Sequence, residues 1–445
     1  MTEMVVGSTD PVETRAKSDA SSGEYIRGLR MAAICVVLLL INAFSQIDRI
    51  LPFILAEKIK ADLRLTDTEM GLLTGLAFAV CYAVLSLPLA RAADRGSPRL
   101  VLVSCVLIWS VMTTLGGFAA SFMFLALTRF GVAFGEAGAV PAGHALIVRK
   151  IPPERRGLAI GLFAMGIPLG TMAGFAAGGA LADEFGWRVV LVGAGVVGIL
   201  IGLVTILVAS STPPVPATAS RDEPFLRTSL ELLSSPAFRW LFAATIFLGF
   251  AGAPFYAFSV PFLIRTYGFT ATEVGVSFGM LQGLMGIIGT LGGGRWFDFA
   301  VRSGTGRVLG PPAILFLIAS LTTTAALFAP AGWMSIALFV PGMLSFSFML
   351  PWGFGAAHLI AGARRQAQAT SLVMIGSGLL GPALGPLIVG MVSDAASAAD
   401  ISNGLGLGLL IVPLSTVLAG TTLLVANRSV SAFLHQSSSQ ATVPR

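Results

Sequence analysis

The sequence predicts an all-α integral membrane protein of twelve transmembrane helices in two pseudo-symmetric six-helix bundles, with both termini on the cytoplasmic side. Three observations predict it. The composition is too apolar for water, twelve apolar runs are long enough to cross a bilayer, and landmarks recur at a near-constant offset between the halves.

Of the 445 residues, 55% are apolar and only 11% are charged. A soluble domain carries about 25% charged residues, so this chain lacks the polar surface to cover a water-soluble fold. Glycine is abundant, at 52 residues, as suits helices that approach closely in lipid. Cys35, Cys81 and Cys105 all lie inside apolar runs. Their spacing fits no metal or redox motif, so they read as packing residues, and neither metal nor cofactor is expected.

A helix needs about 20 apolar residues to cross a ~30 Å hydrocarbon core. Such runs fall at 31–56, 69–90, 99–118, 122–148, 157–182, 187–210, 237–264, 272–297, 308–328, 333–361, 369–393 and 403–426. The connections are short except for 211–236, which holds Pro213, Pro214, Pro216, Arg221, Asp222 and Glu223. The chain therefore divides into a polar, disordered N-terminus (1–28), a first bundle (29–210), a linker (211–236), a second bundle (237–427) and a polar tail (428–445). The opening residues are polar and the run after them is too long for a signal-peptide core, so no cleavable signal is expected.

Charge sets the orientation. With the N-terminus inside, all but seven of the 28 Lys and Arg fall in cytoplasmic segments. Lys58, Lys60, Arg64, Arg188 and Arg265 lie outside, and Arg49 and Arg129 lie within helices. This obeys the positive-inside rule. It also explains the formal charge of +6 without a nucleic-acid partner.

The halves repeat. Thr66-Asp67-Thr68-Glu69-Met70-Gly71 opens the second helix and Thr270-Ala271-Thr272-Glu273-Val274-Gly275 opens the eighth, 204 residues later. Asp94 and Asp298 stand at the same offset. Each Thr-x-x-Glu is a capping box, in which side chains satisfy the free backbone donors of a helix start. Paired repeats of this kind place a substrate site near the midplane, between the halves.

With these residues in hand, the sequence resembles the major facilitator superfamily. Ala90-Arg91-Ala92-Ala93-Asp94-Arg95-Gly96-Ser97-Pro98-Arg99 resembles its loop between helices 2 and 3, with Ala90 where glycine is usual. Gly294-x-x-x-Asp298 followed by Arg302, and Gly186-Trp187-Arg188, match as well. Asn42 to Arg49, Gly71 to Phe78, Arg129 to Ala137 and Pro152 to Gly157 are similar to Spinster-type transporters. Carboxylate:proton symporters share the Asp-Arg pair of helix 1 and the Gly-Glu-Ala of helix 4. The resemblance implies a monomeric secondary transporter of a bacterial inner membrane, working by alternating access rather than as an enzyme.

Charges inside membrane helices are costly and mark function by default. Four lie deep: Asp48 and Arg49 in helix 1, Arg129 and Glu136 in helix 4. Arg129 and Glu136 are two turns apart and share a face. Counting from the helix ends puts Asp48 and Arg129 both about 10–12 Å below the outer surface. Glu136 and Asp48 are candidate proton carriers, because desolvation disfavours a carboxylate. Arg49 and Arg129 suit an anionic headgroup, since guanidinium pairs bidentately with carboxylate or phosphate. Protonating either acid would free an arginine for the anion. A structural ion-pair cluster is the competing reading.

Asn42, Tyr82, Gln282 and Trp352 are further candidates for the substrate cavity, with packing as the competing role. Asp94, Arg95, Arg99, Asp298 and Arg302 are implied by the resemblance to form an inner gate between the halves. Glycine and proline cluster in helices 5 and 11 and read as rocking surfaces or as static packing. The second half carries no deep charge, which favours an amphipathic lipid over a small organic anion or a drug-like compound. Protons and membrane lipid are the other expected partners.

Overall fold

The computed structural model describes residues 28–209, 225–303, 308–362 and 365–441. The expectations for most of the N-terminus and linker lie outside them. The helix starts form as their sequences require. Thr66 accepts from the Glu69 N–H at 3.1 Å while the Glu69 carboxylate accepts from the Thr66 N–H at 2.8 Å. Thr270 and Glu273 repeat the box at 3.1 and 2.9 Å. Ser97 and Ser121 cap two further helices. Gly268 and Gly362 end helices in a positive-φ conformation that glycine adopts without a Cβ clash.

Twelve spans follow among the described residues. They are α1 (Leu29–Ile54), α2 (Asp67–Arg95), α3 (Pro98–Gly116) and α4 (Phe122–Lys150). Pro153–Val208 is one run bent at Gly186, whose φ is 82°; α5 is 153–185 and α6 is 187–208. The second half holds α7 (Pro236–Tyr267), α8 (Ala271–Arg302), α9 (Gly310–Leu327), α10 (Gly332–Ala361), α11 (Gln368–Ala398) and α12 (Gly404–Val430). These agree with the expected runs to within a few residues. Two short helices do not figure in that expectation: Ala56–Leu63 beyond α1, and Phe225–Ser234 ahead of α7.

Within the first bundle α1 packs along α5, and α3 packs on α4 and α6. Within the second, α7 packs along α11 and α12, and α10 on α8 and α9. The bundles meet where α5 crosses α8 and where α2 crosses α11. Small residues permit these contacts. Gly166, Gly170, Gly174 and Gly178 of α5 lie against α1, whereas Gly179 lies against Ala271 of α8. The α5 glycine stripe thus serves mainly packing inside one bundle. The seam between the bundles is lined instead by Gly275, Gly279 and Gly283 of α8, by Gly71 and Gly75 of α2, and by Gly390 of α11.

The second bundle is built on aromatic rings. Phe255 stands edge-on to Phe339 at 5.2 Å and to Phe346 at 5.3 Å, with Phe278 at 5.7 Å. Both crossing helices α2 and α11 contain a π-helical turn, at Leu72–Leu76 and Gly376–Leu380. Such turns widen the helix and re-aim the side chains beyond them.

Candidate functional site

The four deep charges converge. Arg49 Nε donates to Glu136 Oε2 at 2.5 Å. Glu136 is wholly buried, Asp48 is 2% exposed and Arg129 7%; Arg49 is half-buried. Asp48, Glu136 and Arg129 lie within electrostatic range of one another. The direct ion pair therefore runs from Arg49 to Glu136, which lies seven positions along α4 from Arg129, and not at the Asp48–Arg129 level that residue counting picks out. Adjacent helix positions point about 100° apart, so neighbouring Asp48 and Arg49 reach different partners.

The α2 segment beyond its π turn supplies an aromatic floor. The Arg49 guanidinium lies 4.8 Å from the Tyr82 ring centre and 5.1 Å from that of Phe78. Phe78 and Tyr82 stack at 5.8 Å, and Arg129 lies 6.0 Å from Phe78. Cation–π contact is worth about 0.5–1 kcal/mol at an exposed guanidinium and about 2 kcal/mol at a desolvated one, and the half-buried Arg49 stands between these limits. Several polar atoms of the cluster have no hydrogen-bond partner among the described residues. They are Asp48 Oδ1, Glu136 Oε1 and Arg129 Nε, and Thr113 of α3 stands beside Asp48. Buried polar groups are normally satisfied, so this pocket retains unused capacity to bind protons, water or an anion. Thr113 has no sequence signal, because a threonine in an apolar run carries no charge to flag it.

The other candidates separate. Asn42 spends its amide on the Phe163 carbonyl of α5 at 2.7 Å. Trp352 is fully buried, edge-on to Phe297 at 5.3 Å and stacked on Phe348 at 5.9 Å. Gln282 of α8 donates to the Tyr256 hydroxyl of α7 at 2.9 Å.

At the end that the charge pattern assigns to the inner face, Asp94, Arg95, Asp298 and Arg302 are exposed. Arg99 donates to the Ile206 carbonyl at 2.6 Å, and Arg302 to the Asp298 carbonyl at 3.1 Å. Arg149 donates to the carbonyls of Ala93, Asp94 and Gly96. Among the described residues no ion pair joins these two loops across the halves.

The opposite end, assigned by the charge pattern to the outer face, carries such pairs in number. Asp67, 2% exposed, binds Lys60 at 2.6 Å, Arg265 at 2.7 and 2.9 Å and the Ser393 hydroxyl at 2.7 Å. Arg265 also binds Glu57 at 2.7 Å. The Asp394 carboxylate at the end of α11 accepts from the backbone N–H groups of Asp67 and Thr68, at 3.0 and 2.8 Å, and so caps α2 of the other bundle. Asp183 at the end of α5 does the same for α8, accepting from the Thr272 N–H and hydroxyl at 2.7 Å each, with Lys58 at 3.1 Å. Each capping box thus receives a second cap from the opposite bundle. The sequence reading counted Lys58, Lys60 and Arg265 only as topology charges. The recurrence of an aspartate at the ends of α5 and α11 was the available signal.

Three comparisons bear on this architecture. The family profile of the Major Facilitator Superfamily matches residues 37–386. An MFS-type efflux pump of Mycolicibacterium smegmatis is 35% identical over 397 residues, covering 86% of this chain and 89% of the pump. Among solved structures, a bacterial homologue of the human lysosomal transporter Spinster superposes in two inward-facing conformations. The unoccupied one gives a TM-score of 0.78 at 27% identity, covering 92% of this chain and 97% of that one. The occupied one gives 0.75 at 28% identity, covering 93% and 98%.

Proposed function

This chain belongs to the major facilitator superfamily, as a Spinster-like multi-pass membrane transporter, and on that footing we propose that it moves amphipathic lipids by proton-linked alternating access. In this reading Arg49 and Arg129 receive an anionic headgroup, Tyr82 stacks beside it, and Glu136 with Asp48 carries the protons. The acyl chain lies against the aromatic second bundle. Lysophospholipids or sphingoid compounds are the substrate class. The setting is a bacterial inner membrane with both termini cytoplasmic, and a monomer is the working unit.

The observation that carries this reading is the Arg49–Glu136 pair, whose acid is wholly buried. In that pair the acid holds the very guanidinium an anion would need. Protonation removes the charge on Glu136, and a neutral Glu136 releases Arg49. Proton and anion then bind in favour of each other, which is the thermodynamic core of symport. Asp94 and Asp298 join their loops when the inner end closes, while the Asp67 cluster parts.

The deciding experiment is flux in proteoliposomes under an imposed pH gradient. Wild type accumulates the lysolipid, and Glu136→Gln exchanges it without accumulation. Full gradient-driven accumulation by Glu136→Gln removes Glu136 as the carrier. A second reading, an exporter of drug-like compounds or a symporter of small organic anions, draws support from the extensive similarity to the efflux pump. The same assay with those solutes separates the two.

A further inference from the structure

We infer that Tyr256 and Gln282 form a second, neutral subsite on the C-terminal bundle, which recognises a hydroxyl carried a few atoms from the substrate's charged end. The inference rests on the transport reading above and supplies the chemistry of the contact opposite the charged cluster.

Gln282 is 2% exposed, yet its Oε1 has no partner among the described residues. Its amide N–H donates to the Tyr256 Oη at 2.9 Å. Having accepted there, the phenol still has its own hydrogen to give. The pair therefore presents one unspent acceptor, Gln282 Oε1, beside unspent donors, the phenol O–H and the second amide N–H. A hydroxyl group is the complement, since one oxygen both donates and accepts. Neither residue is charged, so the pair supplies no counter-charge for a second anionic group. A buried amide oxygen without a partner is costly, and a ligand that satisfies it gains by the same amount.

The pair faces the space between the bundles. No residue of α7 from 241 to 264 is exposed, so the half-buried Tyr256 opens inward rather than to lipid. Gln282 adjoins Gly279 and Gly283, which pack on Phe175 and Met172 of α5 across the seam. Depth agrees. Tyr256 stands about 16 Å from the Tyr267 end of α7, and Gln282 about 16 Å from the Ala271 start of α8. Arg129 and Glu136 stand about 10 and 21 Å from the outer start of α4. The neutral pair is thus level with the interval between them. Phe255 and Phe346, at 6.0 and 6.4 Å from the Tyr256 ring, wall it with apolar surface.

The test is calorimetric binding to the purified full-length protein with two probe pairs. One is a 1-acyl lysophosphatidic acid and its 2-deoxy counterpart; the other is 3-hydroxybutyrate and butyrate. Wild type is expected to bind the hydroxyl-bearing lipid about tenfold more tightly than the deoxy lipid. The isosteric variants Tyr256→Phe and Gln282→Met bring that ratio close to one. The ratio within each variant guards against a general loss of binding, and thermal unfolding confirms that each variant folds. Discrimination in the small-acid pair alone keeps the subsite and removes the lipid reading. No discrimination in either pair, or discrimination that survives in both variants, overturns the subsite.

Discussion

At the scale of single residues, the site turns on which acid holds which guanidinium. Arg49 is tied to Glu136 at 2.5 Å and braced by two aromatic rings, whereas Arg129 keeps an unpartnered Nε. The two arginines therefore stand in different readiness for an anion. If Glu136 must give up Arg49 before an anion binds there, affinity for an anionic headgroup rises as pH falls. Removing the carboxylate removes that dependence. Glu136→Gln is expected to bind an anionic lysolipid at all pH values about as tightly as wild type does at low pH, in calorimetric titrations from pH 5 to 8. A variant that keeps the wild-type slope places the titrating group elsewhere. Arg49→Lys tests the other partner. Lysine keeps the charge but loses the planar fork and the face that stacks on Tyr82 and Phe78. Affinity should fall about tenfold or more, and unchanged affinity would mean that Arg49 is structural.

At the scale of elements, the outer closure depends on helix ends. Four backbone donors at each helix start need partners. At α2 and α8 the capping boxes Thr66–Glu69 and Thr270–Glu273 supply part of that need, and Asp394 and Asp183 add more from the opposite bundle. Separating the bundles therefore uncovers helix donors as well as breaking ion pairs. A side-chain cap contributes about 1 kcal/mol, so the two together hold the outer end by roughly 2 kcal/mol, or about thirtyfold in population. Asp183→Ala with Asp394→Ala should shift the outer end toward open by about that factor. The readout is labelling of Ala271→Cys by an impermeant maleimide, with the native cysteines replaced. Ala271 is only 6% exposed behind this closure, so unchanged labelling would show that the caps do not hold it. The capping boxes were legible in the sequence because they are local, four residues long and repeated. Their second caps were not. An aspartate at a helix end is ordinary, and only the crossing of α2 with α11 and of α5 with α8 brings it to another bundle. The π turns were hidden for a different reason: the apolar pattern of α2 and α11 reads the same with one residue more per turn.

At the scale of the whole molecule, the two bundles, the twelve spans and the four buried charges were readable from composition, run length and the 204-residue repeat. Those features are set by the bilayer and by gene duplication, and they do not depend on side-chain geometry. Which end is closed depends on a balance of contacts across the seam, and so it emerges only from the fold. Ion pairs and caps join the bundles at the end that holds Asp67, while the loops bearing Asp94 and Asp298 are exposed and unjoined among the described residues. If the bundles rock as two stiff bodies about the glycine-lined seam, contacts at one end act on the other. Asp67 receives four hydrogen bonds while almost wholly buried, so its loss should weigh more than that of an exposed ion pair, which is worth about 0–1 kcal/mol. Spin labels at the exposed inner positions Ala92 and Phe299 should therefore report on an outer substitution. Asp67→Ala is expected to add a population with a shorter label separation in pulsed-dipolar measurements. Adding Asp94→Asn should reduce that population, because the inner closure then lacks its carboxylate. An outer end that opens with no change in the inner distance would mean that the halves bend internally, with the π turns of α2 and α11 as the flexing points, instead of moving as rigid bodies.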